Sequence, residues 1–222
     1  MRKFLPIVVV PLIMATSSWG TLLPTKPGDS GVDDGVRWKA YVLKDGEKSK
    51  HLFGKHAKEA IRFNRMQKKF WKEGAVIKRP VLEDVAKLKD WNPMPPTFAE
   101  CPVNKSRCIV ISLSKQFLGV YKFQRLKVTY PVSTGIPEYQ TPTGYFKVVS
   151  GTSVKKIKLR RIFSFAYQTW MYWPLHIGGQ IFIHAGDLPG YPASHGCIRL
   201  MRKDAYKLFK KIPLNTPVRI VG

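Results

Sequence analysis

An apolar run over residues 4–15 opens the chain, with Arg2 and Lys3 before it and Thr16, Ser17 and Ser18 after it. A basic start, a short apolar centre and small polar residues make the layout of an export leader. The run is shorter than the roughly 20 residues a membrane-spanning helix needs, and it carries Pro6 and Pro11. Residues 1–20 are therefore expected as a signal peptide cut near residues 18 to 23, with an uncleaved anchor as the alternative. Residues 21–36 are rich in Pro, Gly and Asp and poor in large apolar groups, which predicts a linker. A strand-like run over 38–43 then precedes Leu52, Phe53, Ala57, Ala60, Ile61 and Phe63 at helical spacing. Pro93, Pro95 and Pro96 break the pattern, so 37–96 is expected as a small α/β or helical extension. Beyond it the apolar pattern shortens to β-type runs over 109–113, 117–123, 126–131, 145–150 and 180–184. Near the end Ala205, Leu208, Phe209 and Ile212 share one helical face, and a closing strand follows Pro213 through Val218, Ile220 and Val221. The pattern predicts a mainly β domain over 97–222 with one C-terminal helix.

Charge narrows the surroundings. The 222 residues carry 38 basic and 14 acidic side chains, a net +24 at pH 7, and such a field concentrates anions at the surface. Nucleic acid, anionic lipid and an acidic cell wall all fit that charge. No base-reading module is present and the leader directs the chain outwards, so nucleic acid is not the expected partner. The run of Lys155, Lys156, Lys158, Arg160 and Arg161 either attracts a carboxylate-rich wall or is a solvated face. In an exported chain thiols pair, and three cysteines leave one for other work. Cys101 and Cys108 flank the turn-like Asn104 and Lys105 and form the natural disulfide, which leaves Cys197 free. The alternative is that all three are reduced and inert.

The chemistry concentrates over residues 181–200, where an apolar strand ends in His184 and a loop ends in Ser194, His195, Gly196 and Cys197. A thiolate is the nucleophile and a free thiol has a pKa of about 8.5, so a neighbouring imidazole or cation is needed. His184, His195 and Arg199 are the candidates. Gly186, Pro189, Gly190 and Pro192 permit a loop that folds His184 back beside Cys197. Gly196 gives the backbone freedom to turn before the nucleophile, so that nearby N–H groups can face a developing oxyanion. His184, His195 and Cys197 could also supply three zinc ligands, but the short paired ligand spacings of such sites are absent and no metal or cofactor is expected.

At these residues the chain resembles the L,D-transpeptidase catalytic domain, the YkuD family. The likeness lies in His184, then Ser194-His195-Gly196-Cys197-Ile198-Arg199, and upstream in the runs 109–116, 130–135 and 141–146. Ala185 stands where the family commonly has Gly or Ser. The resemblance implies a β-sandwich with Cys197 as nucleophile, His184 taking its proton, and His195, Ser194 and Gly196 shaping the oxyanion site. Arg199 would pair with a substrate carboxylate or brace the loop. Tyr172 and Trp173, with Tyr167 and Trp170, resemble the family's substrate-cleft segment, with core packing as the alternative. The implied substrate is a peptidoglycan stem tetrapeptide, and the acceptor is another stem's amine, an outer-membrane lipoprotein lysine or water. An exported, periplasmic enzyme follows, with a hydrolase of the same bonds or a non-catalytic wall-binding protein as alternatives. Tyr41, Val42, Gly46, Asn64, Gly74, Ile77 and Pro80 resemble a degenerate LysM module, a glycan-binding unit, although a plain helical appendage accounts for the extension equally well.

Overall fold

A computed structural model of the chain describes residues 26–105, 107–149 and 160–222. The leader expected over 1–20 and the cations Lys155, Lys156 and Lys158 lie outside the described residues. Among the described residues, no helix is long and apolar enough to cross a membrane.

The linker expected over 21–36 contains a strand. Asp34 and Gly35 both have positive φ, 44° and 85°, and an Asp-Gly pair in that conformation makes a tight hairpin. It joins β1 (Ser30–Asp33) to β2 (Val36–Val42). Two short helices, α1 (Ser49–Phe53) and α2 (Ala57–Phe63), then lead to β3 (Val76–Pro80), which pairs with β2 and completes a three-stranded antiparallel sheet.

The rest of the chain forms β4 (Cys108–Ser112), β5 (Phe117–Lys122), β6 (Arg125–Ser133), β7 (Gly144–Lys147), β8 (Arg161–Ser164), β9 (Thr169–Gly178), β10 (Ile181–Ala185), β11 (Ile198–Leu200), α3 (Arg202–Lys211) and β12 (Pro217–Val221). The strands make one sheet in the order β7-β12-β4-β5-β6-β11-β10-β9-β8. Val149 forms a bridge to His176 of β9, so the sheet curls until its two ends approach. The two halves of the curl face each other as a sandwich. Ile109 and Ile111 of β4, Leu118 of β5, Leu175 and Ile177 of β9, Ile183 of β10 and Ile220 of β12 share one apolar core with Leu208 and Phe209 of α3.

Every residue of β4 is buried, because the strand is covered on both faces and therefore reads as an unbroken apolar run. Its odd-numbered positions enter the inner core. Cys108 and Val110 turn outward, with Phe117 and Tyr121 of β5, against the N-terminal unit. There Phe63, Trp91 and Phe117 meet edge to face at 4.9 and 5.5 Å. Each buried ring stabilises by about 1.5–3 kcal/mol. Cys101 and Cys108 are joined by a disulfide with Cα atoms 5.8 Å apart, which ties the start of β4 to the segment before it.

This outer layer also buries charge. Asp33, Arg65 and Lys78 are fully buried. Arg65 is 2.5 Å from the Asp33 carboxylate, and Lys78 forms a second ion pair with it. Burial opposes ionisation of Asp33, but the charges and hydrogen bonds of Arg65 and Lys78 outweigh it and hold the carboxyl below its usual range. Burial, reinforced by the charge of Arg65, pushes the Lys78 ammonium well below its usual value. Arg65 also donates to the Lys115 carbonyl at 3.1 Å, which fastens the N-terminal unit to the turn between β4 and β5.

Candidate active site

β10 and β11 run parallel, with Ile183 opposite Ile198, His184 opposite Arg199 and Ala185 opposite Leu200. Ile183, Ile198 and Leu200 fill the inner core. Side chains alternate along a strand, so His184 and Arg199 project from the other face. Cys197, one residue before β11, shares that face with Arg199, and the register sets it opposite Phe182. With strands about 4.8 Å apart and about 3.3 Å of rise per residue, the Cα atoms of Cys197 and His184 lie diagonally about 8 Å apart. Two side chains can close that gap. Sequence spacing alone could not show that the parallel pairing makes them neighbours.

The ring of His184 is held from behind. Its Nδ1 lies 2.9 Å from the carbonyl oxygen of Ala185. A carbonyl can only accept, so Nδ1 carries the proton and Nε2 keeps its lone pair. Burial lowers the His184 pKa to about 4, and the charge of Arg199 adds to the effect. Burial pushes the Cys197 thiol up, against a hydrogen bond from the Phe182 backbone and the positive charge of Arg199. The thiol reaches the Gln180 carbonyl at 3.7 Å. At neutral pH the pair therefore rests as thiol and neutral imidazole, which suits general-base activation at the moment of attack.

The turn before the thiol is built by side chain to backbone bonds. Ser194 Oγ donates to the Cys197 carbonyl at 2.5 Å and accepts the Gly196 N–H at 3.2 Å. Gly196 sits at φ 106°, a conformation side chains rarely adopt. Thr141 Oγ1 donates to the Gly196 carbonyl at 2.8 Å and accepts the Gly135 N–H at 2.9 Å. Gly135 is required by space: a Cβ there would lie 2.0 Å from the Tyr139 carbonyl oxygen. Ser194 and Gly196 act on the site by setting this turn. Thr141, buried at its centre, stands in the 141–146 run, whose signal as a turn motif gives no hint of its bond across 55 residues.

The remaining expected residues divide. His195 is exposed, its ring 4.7 Å from that of Tyr167 in a stacked arrangement and 5.0 Å from that of Tyr139. The two histidines thus occupy different settings. His184 is turned to Ala185 and His195 sits between two tyrosines; among the described residues there is no group of three or more His, Cys, Asp or Glu that could hold a metal ion. Arg199 is half-buried, and burial lowers its pKa. Tyr172 pairs in register with Ala185 and lies under the Arg202 guanidinium at 4.4 Å. Trp173 packs on Tyr206 and Phe209 of α3 at 4.8 and 5.7 Å, on the core side of the strand.

The curled β-sheet thus sets Cys197 and the tautomer-fixed His184 on one face of the parallel pair β10 and β11. The sequence profile of the L,D-transpeptidase catalytic domain, YkuD, matches residues 106–220, more than half of the chain. The protein belongs to this family. It is also similar to a Bacillus licheniformis protein assigned as L,D-transpeptidase YkuD, 32% identical over 116 residues. That match covers 50% of this chain and 64% of the relative's length. Among solved structures it is similar to the L,D-transpeptidase of Stackebrandtia nassauensis, at 22% identity and TM-score 0.49, covering 57% of this chain and 60% of that one. A second is the L,D-transpeptidase of Xylanimonas cellulosilytica, at 23% identity and TM-score 0.49, covering 68% and 72%.

Proposed function

We propose that this protein is an exported, periplasmic peptidoglycan L,D-transpeptidase working through a Cys197 thioester. The carrying observation is the bond from His184 Nδ1 to the Ala185 carbonyl, which leaves Nε2 as the base on the face shared with Cys197. His184 Nε2 takes the thiol proton as sulfur attacks the carbonyl of the third residue of a stem tetrapeptide. The proton passes to the departing amine, terminal D-alanine leaves, and a thioester remains. An acceptor amine, deprotonated by the same Nε2, then attacks the thioester and frees the thiol. A diamino acid of another stem gives a 3-3 cross-link, a lipoprotein lysine gives a tethered protein, and water gives a shortened stem. The His195 and Cys197 N–H groups steady the oxyanion, since the Ser194 and Gly196 N–H groups are held by the Thr134 carbonyl and Ser194 Oγ, and Arg199 and Tyr172 border the entrance. The +24 charge draws the protein to a carboxylate-rich wall.

The test is mass spectrometry of the leaderless protein incubated with a disaccharide-tetrapeptide, beside Cys197→Ala. Dimer with released D-alanine from the wild type alone is the expected result. Shortened monomer alone replaces the transferase with a hydrolase. Equal turnover in Cys197→Ala removes the thioester mechanism.

A further inference from the structure

We infer that the N-terminal unit is a working part of the catalytic centre, with Gln67 and Lys69 as positioning residues that grip the loop between His184 and Cys197. The inference rests on the Cys197 and His184 reading above. A crossover between parallel strands normally takes a dozen or more residues and a helix. Here it is a bare loop between β10 and β11, and its backbone groups need partners from elsewhere.

The segment after α2 supplies them. The Gln67 N–H donates to the Leu188 carbonyl at 2.9 Å, and Gln67 Nε2 donates to the Gly186 carbonyl at 3.1 Å. Met66 pairs with Pro189 as an isolated β-bridge, and Lys69 Nζ is 2.5 Å from the Asp187 carboxylate. Leu188 is fully buried, and a Cβ at Gly190 would lie 3.1 Å from the Asn64 carbonyl oxygen. Beneath this grip Arg65, one residue before Met66, is locked to Asp33. The gripping segment is therefore itself fixed.

The grip leads to the thiol. Gly186 N–H donates to the Leu200 carbonyl at 2.9 Å, and its Cα faces the Arg199 side chain so closely that a Cβ would lie 2.8 Å from Cγ. Arg199 stands opposite His184 in register and shares the face of Cys197. Holding Gly186 therefore holds Arg199 beside the sulfur. Among the described residues, Lys69, Asp187, Arg199 and His184 lead from the N-terminal unit to Cys197, with His195, Tyr167 and Tyr139 on the turn side.

The experiment uses the leaderless full chain with Gln67→Ala, Gln67→Glu, Lys69→Ala and Lys69→Arg, each checked by thermal unfolding. Two readouts are taken: steady-state turnover of the disaccharide-tetrapeptide and the pH profile of Cys197 alkylation by iodoacetamide. Loss of one positioning hydrogen bond predicts a kcat fall of roughly three- to tenfold in Gln67→Ala, with KM little changed. The alkylation midpoint should move upward as Arg199 loosens. Gln67→Glu, which keeps the side chain's size and removes the Nε2 donor, should do the same. Lys69→Ala should lose less, and Lys69→Arg should restore it. Wild-type kcat and an unmoved alkylation midpoint in both Gln67 variants would overturn the inference, as would losses that only follow the folded fraction. Turnover surviving in Cys197→Ala would instead defeat the reading beneath it.

Discussion

The two sides of β4 and β5 are built from different materials. The inner side packs Ile109, Ile111, Leu118 and Val120 against apolar residues of β9–β12 and α3. The outer side packs aromatic rings around a buried carboxylate and two buried cations. An apolar core gains from any good filling of volume, whereas a buried charge gains only when its partner stands in one place. The inner side therefore supplies stability and the outer side supplies register. It fixes where the N-terminal unit sits and, through Arg65 to Lys69, where the loop before Cys197 sits.

Removing the carboxylate should break this arrangement most severely. Asp33→Ala leaves Arg65 and Lys78 without their shared carboxylate in a buried layer, and losing one partner of a buried pair costs about 3–5 kcal/mol. Ile220→Val on the inner side removes one methylene and should cost about 1 kcal/mol. Urea unfolding of both variants checks the contrast. Comparable losses would mean the outer layer is wetter and more forgiving than its geometry implies.

The site face adds a pH-dependent contribution. His184 has a folded pKa of about 4 against an ordinary 6.5. Between those values the unfolded chain binds the proton and the folded one does not, so stability falls as pH drops from about 6.5 to about 4. Over the whole window the loss approaches about 3 kcal/mol. His184→Gln cannot take up that proton, and its stability should fall less over the same range. Urea midpoints at pH 4 and pH 7 for both proteins give the answer, and parallel slopes would remove His184 as the cause. The disulfide comes next. Its short loop should contribute about 2–3 kcal/mol, so Cys101→Ser with Cys108→Ser lowers the unfolding midpoint while alkylation of Cys197 continues.

The inner side was open to reading from the sequence because its strands alternate or run apolar. Residues 109–113 and 117–123 match β4 and β5 closely, and the face of Ala205, Leu208 and Phe209 matches α3. The outer side was mostly hidden. Asp34 and Gly35 carried a hairpin signal inside a stretch whose composition reads as a linker, and β11 is too short, at three residues, to show any period. Cys197 and His184 stood out by residue type at the ends of elements. Gln67 did not, because its bond to Gly186 spans 119 residues and a glutamine beside lysines looks like any exposed face.

The finest test of the comparison is Lys78→Met, where little should happen. The Asp33 carboxylate keeps its bond to Arg65, and one carboxylate against one guanidinium is a balanced pair. What is lost is an ammonium whose burial already opposes its charge. Met keeps the length of the side chain over the Phe63 ring, which the Lys78 nitrogen approaches to 4.2 Å. Removing one partner of a buried pair is costly when it strands an uncompensated charge; here Asp33 keeps Arg65, so the change should stay within about 1 kcal/mol of wild type. The backbone bond from the Lys78 N–H to Asn64 Oδ1 remains in either case. A loss as large as that of Asp33→Ala would show that Asp33 needs both cations, and that the outer layer is a three-body charge lock. A small change would assign the register to the Asp33 and Arg65 pair alone, the same arginine that sets the chain on its course to Gln67.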